Sequence, residues 1–231
     1  MPVDVSAFGI LRFLFRLIPR RIRPRMMRQS IALLLLVLFG AAQPAAWASQ
    51  DAQVLIKHTA DEVLEELRAN EDLYRQDPDA LEAMMRRVVV PRFDMERITR
   101  WILGKWWQDA SDQDRARFQD AFTSLLLRTY ATALKEFDGD RDVTYLPVQP
   151  SRNGLWVTVP TKIQTGKGES IGIDYRVGEV DGNWRVLDVQ IDGISLVRTY
   201  RQEYAGIMQR SGVDGLIEML QTRNEAARIP D

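Results

Sequence analysis

Apolar residues recur at helical spacing through the first half of the chain and at alternating spacing beyond it. Between residues 51 and 69, Val54, Leu55, Val63, Leu64 and Leu67 fall on one helical stripe. Asp77-Pro78 sets a capping carboxylate before a proline at the first helical position and opens a second helix through about Val89. Pro91 interrupts, and Asp94 caps a third helix that Gly104 ends. Ser111-Asp112-Gln113-Asp114 has the form of a capping box with Asp in place of Glu. A long helix follows, with Phe118, Phe122, Leu125, Leu126, Tyr130, Ala133, Leu134 and Phe137 spaced for one face.

From Asp138 the period shortens to two. VTYLPV (143–148), LWVTVPTKI (155–163), SIGIDYRV (170–177) and WRVLDVQI (184–191) read as four strands, and TGKG and VDGN as hairpin turns between the later ones. Leu155, Val157, Val159, Thr161 and Ile163 share one strand face, and Ile171, Ile173, Tyr175 and Val177 another. Ser195 caps a helix through about Arg210, and Val213 to Asn224 form the last one. The fold class expected is α+β, a four-stranded antiparallel sheet covered by N-terminal and C-terminal helices.

The N-terminus bears on where such a domain works. Arg20, Arg21, Arg23, Arg25 and Arg28 precede the uncharged run IALLLLVLFGAA (31–42), which is short for a membrane span and suits the h-region of a signal peptide. Pro44 breaks a helix there, and Ala46-Trp47-Ala48 is a signal-peptidase pattern. Residues 1–48 are therefore expected to be a signal peptide cleaved after Ala48, with residues 49–231 as one domain. Met26 and Met27 are alternative starts that shorten a long n-region, and an uncleaved anchor is the alternative to cleavage. Arg20-Arg21 lacks the following apolar pair of a twin-arginine signal, so the general export route is expected.

Cysteine is absent, which excludes a disulfide framework and a lipidated cysteine after the signal. Residues 1–48 hold seven Arg and one Asp, so their loss leaves 24 basic and 31 acidic residues, a net charge of −7. Such a surface argues against a nucleic-acid partner.

Candidate catalytic groups fail one by one. His58 is the only histidine, which leaves neither a zinc site of the usual kinds nor a Ser-His-Asp arrangement away from a polar helical stretch. Gly166-Lys167-Gly168 lacks the upstream glycine and following Ser or Thr of a phosphate loop and reads as a hairpin. Asp138-Gly139-Asp140-Arg141-Asp142 begins like a calcium loop, but Val143 stands at the glycine position and Gln149 at that of the bidentate Glu. No metal, cofactor or catalytic set is expected.

Two longer stretches carry a resemblance. VVVPRFDMERITRWILGKWWQDASDQDRARFQDAFTSLLLRTYATALKEF runs from a proline-interrupted apolar segment through an LGKWW turn to a helix with RFxxxFxxLLxRTY. NWRVLDVQIDGISLVRTYRQEYAGIMQRSGVDGLIEMLQTRN adds a W-x-V-x-D-V strand, a DGISLVxxYRxEY junction and a final GVDGLIExL. In that order they resemble the MlaC, or toluene-tolerance, family of periplasmic phospholipid-binding proteins, over essentially the whole chain after residue 48.

The resemblance implies a periplasmic carrier that holds a glycerophospholipid by its acyl chains. It implies exchange of that cargo between an outer-membrane lipoprotein complex and an inner-membrane ABC transporter with an MCE-domain component, only transient membrane contact, and maintenance of outer-membrane lipid asymmetry. No cofactor is implied; phospholipid is cargo, and ATP hydrolysis belongs to a partner. An apolar cavity is then expected between the sheet and the helices at 94–103 and 112–137. Its wall candidates are Trp101, Leu103, Phe122, Leu126, Tyr130, Val157, Val159, Ile171, Ile173, Tyr175 and Val189. Of the adjacent pair Trp106 and Trp107, one is expected to pack inward and the other to lie near a rim, with Arg97, Arg100 and Lys105 as the nearby cations.

Each wall candidate also fits the plain core of an α+β domain. Two other function classes fit the same elements. One is a small-molecule enzyme on a cone-shaped α+β fold, using a buried Asp174 or Asp188; the other is a module that binds only protein.

Overall fold

Side-chain caps position the N-terminal helices in the computed structural model, which describes residues 44–135, 143–164 and 170–226. The expected export run at 31–42, the Asp138–Asp142 turn, Phe137 and the TGKG hairpin lie outside the described residues. Helix α1 (Pro44–Ala69) is followed by a short α2 (Glu71–Gln76) and by α3 (Pro78–Val88). Asp77 accepts from the backbone N–H of Asp79 and Ala80, so α3 starts where its cap and Pro78 place it. Val90–Arg92 form a 3-10 turn at Pro91, and Asp94 accepts from Arg97 N–H to open α4 (Met95–Leu103). Gly104–Trp107 continue as a second 3-10 turn before α5 (Asp112–Lys135). Ser111 Oγ accepts from Asp114 N–H at 3.1 Å, but the Asp114 carboxylate turns to the Ser111 hydroxyl, so only half of the expected capping box forms.

The sheet has six strands rather than the expected four. They are β1 (Val143–Tyr145), β2 (Gln149–Pro150), β3 (Val157–Gln164), β4 (Ser170–Val180), β5 (Asn183–Ile191) and β6 (Ile194–Ser195). All pairs are antiparallel in the order β1-β3-β4-β5-β6, with β2 also against β3. The run expected as a single strand at 143–148 ends at Tyr145, and Pro147, which has no N–H to donate, lies in the break before β2. Leu155, expected in a strand, lies instead in the turn closed by Ser151 N–H on Trp156 O, and it is 69% exposed. The extra strand β6 arises because Asp192 and Gly193 adopt positive φ and fold the chain back on Ile191. Asp181 and Gly182 do the same in the expected VDGN hairpin.

Ser195 then caps α6 (Leu196–Ala226) by accepting from Arg198 N–H, and the helix kinks at Gly212, where φ is 67°. The residues from Trp47 onward form one compact unit. Three apolar clusters hold it. One joins α4, α5 and α6 through Ile102, Leu103, Phe118, Phe122, Tyr204 and Leu216. A second joins α1, α2 and α3 to Leu127 of α5. The third joins the sheet to α1.

Gly104 ends α4 at φ 58° and ψ −119°, and a Cβ there would meet the Arg201 guanidinium at 3.2 Å. Gly104→Ala is therefore expected to cost about 1–3 kcal/mol through backbone strain. Urea unfolding should show a lower midpoint at unchanged slope.

Candidate functional site

One face of the sheet is largely apolar, and the strand register assembles it. Val157 pairs with Val177, Val159 with Tyr175, Thr161 with Ile173 and Ile163 with Ile171. On the other side Val177 pairs with Val186, Tyr175 with Val189 and Ile173 with Ile191. Tyr145 opposite Thr161 and Val143 opposite Ile163 extend the same face onto β1. A register shift at Arg176 and Val177 makes room for one extra residue in β5, so Val186 and Val189 share this face despite their odd spacing. Thr161, the polar member, is satisfied by donating its hydroxyl to Ile173 O at 2.9 Å.

Cover over this face is unequal. Val157, Val159, Val177 and Val186 are buried beneath Ala52, Leu55 and Ile56 of α1 and beside Phe93. Toward the other end Ile163, Ile173 and Ile191 are half-buried, Ile171 is exposed, and none of them belongs to the buried cluster. The hydroxyl of Tyr175, between the two ends, is pushed up to about 12 by burial and by the neighbouring Tyr145, so it stays neutral.

The candidates thus fall into two groups. Val157, Val159, Ile171, Ile173, Tyr175 and Val189 share the sheet face. Leu103 and Phe122 are fully buried in the cluster of α4, α5 and α6, with Leu126 half-buried against it. Phe122 stacks on Phe118 at 5.7 Å and meets Tyr200 and Tyr204 edge-on at 5.0 and 6.3 Å. Tyr130 hydrogen-bonds Tyr200, and burial raises its hydroxyl pKa. Trp101 is half-buried on α4 and outside all three clusters. Ala52, Ile56, Phe93, Val186 and Ile191 were not anticipated. For Val186 and Ile191 the alternation in WRVLDVQI was the available signal, and the extra residue in β5 obscured it.

Trp106 and Trp107 do not divide into one inward and one rim residue. Both are half-buried against the helical cluster, because a 3-10 turn rather than a regular helix carries them. Lys105 lies over Trp106 at 4.5 Å, and Arg100 and Arg115 lie over Trp107 at 5.2 and 4.9 Å.

The two aspartates raised for an enzyme sit on the opposite face of the sheet. Asp188 is 2% exposed, accepts from Ser195 Oγ at 2.7 Å and Val197 N–H at 3.2 Å, and lies 3.6 Å from Arg176. Those contacts secure the start of α6. Asp174 pairs across the strand with Gln190 and is half-buried. His58 is exposed and 3.8 Å from Glu62. Among the described residues no three His, Asp or Glu side chains converge as metal ligands, and no helix is long and apolar enough to cross a membrane.

Helix α1, which covers the closed end of the face, is anchored farther along by ion pairs. Glu62 accepts from Arg92 at 3.3 Å, and Glu66 accepts from Arg87 at 2.9 Å and from the Tyr74 hydroxyl at 3.1 Å. The Arg87 guanidinium first, and Tyr74 second, hold the Glu66 carboxyl below its ordinary pKa. A lowered folded pKa contributes stability above the unfolded value, near 4.3, that is lost as pH falls through the folded value. Glu66→Gln should therefore flatten the acid limb of a melting-temperature profile below about pH 4.3.

Comparison with known proteins gives this architecture a family. The MlaC protein family model matches residues 57–222. The chain belongs to the MlaC family. It is 29% identical over 181 residues to the toluene tolerance protein ttg2D of Pseudomonas putida, covering 78% of this chain and 83% of that protein. It is 25% identical over 179 residues to the intermembrane phospholipid transport system binding protein MlaC of Haemophilus influenzae, covering 76% and 83%. A solved structure of a phospholipid-binding protein from Ralstonia solanacearum, in complex with a phospholipid, superposes with a TM-score of 0.71 at 32% identity. That match covers 78% of this chain and 99% of the other.

Proposed function

We propose that this chain is a phospholipid carrier of the periplasm, with the acyl chains of its cargo against the incompletely covered end of the sheet face. The observation that carries this reading is the gradient of cover along one apolar face, from Val157 and Val177 under α1 to the half-buried Ile173 and Ile191. The Ralstonia solanacearum relative, with a phospholipid bound in the same fold, supports it. Each methylene kept from water contributes about 0.8 kcal/mol, so two acyl chains of ordinary length amount to ~20 kcal/mol. A carrier must offset that with a surface nearly as apolar as a bilayer, and the isoleucines at the open end are such a surface.

The finer reading follows the family resemblance. Residues 1–48 are the export signal, the working protein begins at Ser49, and its cargo passes between an outer-membrane lipoprotein complex and an inner-membrane ABC transporter with an MCE-domain component. Native mass spectrometry of protein purified from cells tests the carrier reading. The expected result is an adduct with the mass of a diacyl phospholipid on a polypeptide starting at Ser49. Protein that carries no lipid and takes none up from vesicles would overturn it.

A further inference from the structure

We propose that the turn Gly104–Trp107, with the first turns of α6, is the surface by which the carrier docks on an anionic phospholipid bilayer. Most arginines of the helical part pair with a carboxylate: Arg75 with Glu71, Arg87 with Glu66, Arg97 with Asp94, Arg117 with Asp214. At this turn the pattern changes. The exposed Lys105, Arg198 and Arg201 have no carboxylate partner among the described residues. They are also neighbours. The Arg201 guanidinium lies 3.2 Å from where a Gly104 Cβ would be, Lys105 follows Gly104, and Arg198 is one helical turn before Arg201 on the same side of α6. Arg100 and Arg115 flank them over the ring of Trp107.

Charge and aromatic character therefore coincide on a rigid patch, while the chain after residue 48 carries a net charge of −7. Trp106 and Trp107 are fixed by packing on the helical cluster and keep part of their surface accessible. Tryptophan flanked by Lys and Arg is the composition favoured at a bilayer's headgroup layer, where a half-apolar ring and a cation are both satisfied. An anionic surface complements the unpaired cations, and each cation brought near it strengthens association about fivefold. The choice of a bilayer as partner rests on the carrier reading; the grouping of these side chains does not.

The test is co-sedimentation of full-length mature protein with vesicles of mixed phosphatidylglycerol and phosphatidylcholine, against phosphatidylcholine alone. The wild type is expected to prefer the anionic vesicles and to release from them as salt rises. Lys105→Glu with Arg201→Glu should weaken that binding at least tenfold. Lys57→Glu with Lys162→Glu, the same change in net charge at exposed positions elsewhere, should leave it nearly intact. Arg198→Gln with Arg201→Gln gives a neutral second variant should the reversals disturb folding. Bound phospholipid, measured on the same preparations, should be unchanged in every variant. Three results would overturn the proposal: no preference of the wild type for anionic vesicles, equal losses in both reversal pairs, or loss of cargo together with loss of binding. Absence of cargo from the wild type would instead count against the carrier reading itself.

Discussion

Ile173→Asp is expected to yield folded protein with little bound phospholipid, whereas Val157→Asp is expected to unfold the domain. Both residues share the apolar sheet face, but Val157 faces Val177 under α1 and Ile173 lies four residues from Val177 along β4. At Val157, which is 6% exposed, a carboxylate would sit in the apolar cluster of Ala52, Ile56 and Val186. The cost is roughly 4 kcal/mol or more, a large part of a domain's stability. At Ile173 the side chain is only partly buried, so water can solvate the charge once acyl chains are gone. Circular dichroism and melting curves report folding, and extraction with chromatography reports cargo. Folded Ile173→Asp protein with full lipid occupancy would move the cargo site elsewhere. Unfolding of both variants would make the whole face ordinary core.

The difference between these two positions was not legible in the sequence. Alternation in VTVPTKI and SIGIDYRV assigns Val157 and Ile173 to one face, because side chains on a strand must alternate. It says nothing about which part of the face another element covers. That depends on α1, whose Ala52 and Ile56 reach the sheet from about a hundred residues earlier in the chain. The same limit applies to the helices. Phe122 was placed correctly on the inner side of a helix by its spacing, but its partners Tyr200 and Tyr204 come from α6. Periodicity names a buried side; it does not name the neighbour.

Local chemistry was more readable. Asp77, Asp94 and Ser195 cap the helices they were expected to cap, because a cap depends on a side chain and an N–H two or three residues on. Gly212 divides the C-terminal helix where the break between Arg210 and Val213 was read, and its positive φ supplies the reason. Helix α2 leaves no mark in the sequence pattern because six residues carry less than two turns of it, with Tyr74 alone buried. The extra residue in β5 is hidden for a different reason: it reverses the alternation after Val186, so a strict period of two divides the wall into two faces.

Glu82→Ala is expected to destabilise the domain by about 3–5 kcal/mol while leaving its cargo in place. Glu82 is 7% exposed on α3 and holds three groups. Its carboxylate lies 2.7 Å from Arg128, 3.2 Å from Arg86, and accepts the Ser124 hydroxyl at 3.1 Å. Arg86 also reaches Asp120 at 3.1 Å, and Arg128 reaches Asp79 at 2.7 Å, so α3 and α5 are tied through one nearly enclosed acid. Removing it leaves Arg128, only 11% exposed, with a single exposed partner. A cation without its buried counter-charge accounts for the size of the loss, rather than the modest net worth of the pair. In a domain of this length the melting temperature should fall by roughly 10 °C. Glu82→Leu with Arg128→Leu, which removes both charges and keeps apolar volume, should recover most of the stability, giving a double-mutant coupling of about 1–3 kcal/mol. The network lies between α3 and α5 and touches no residue of the sheet face, so phospholipid recovered per folded molecule should match the wild type in both variants. A drop in cargo that tracks Glu82→Ala at temperatures well below its melting point would couple this helix pair to the site and contradict the separation of the two.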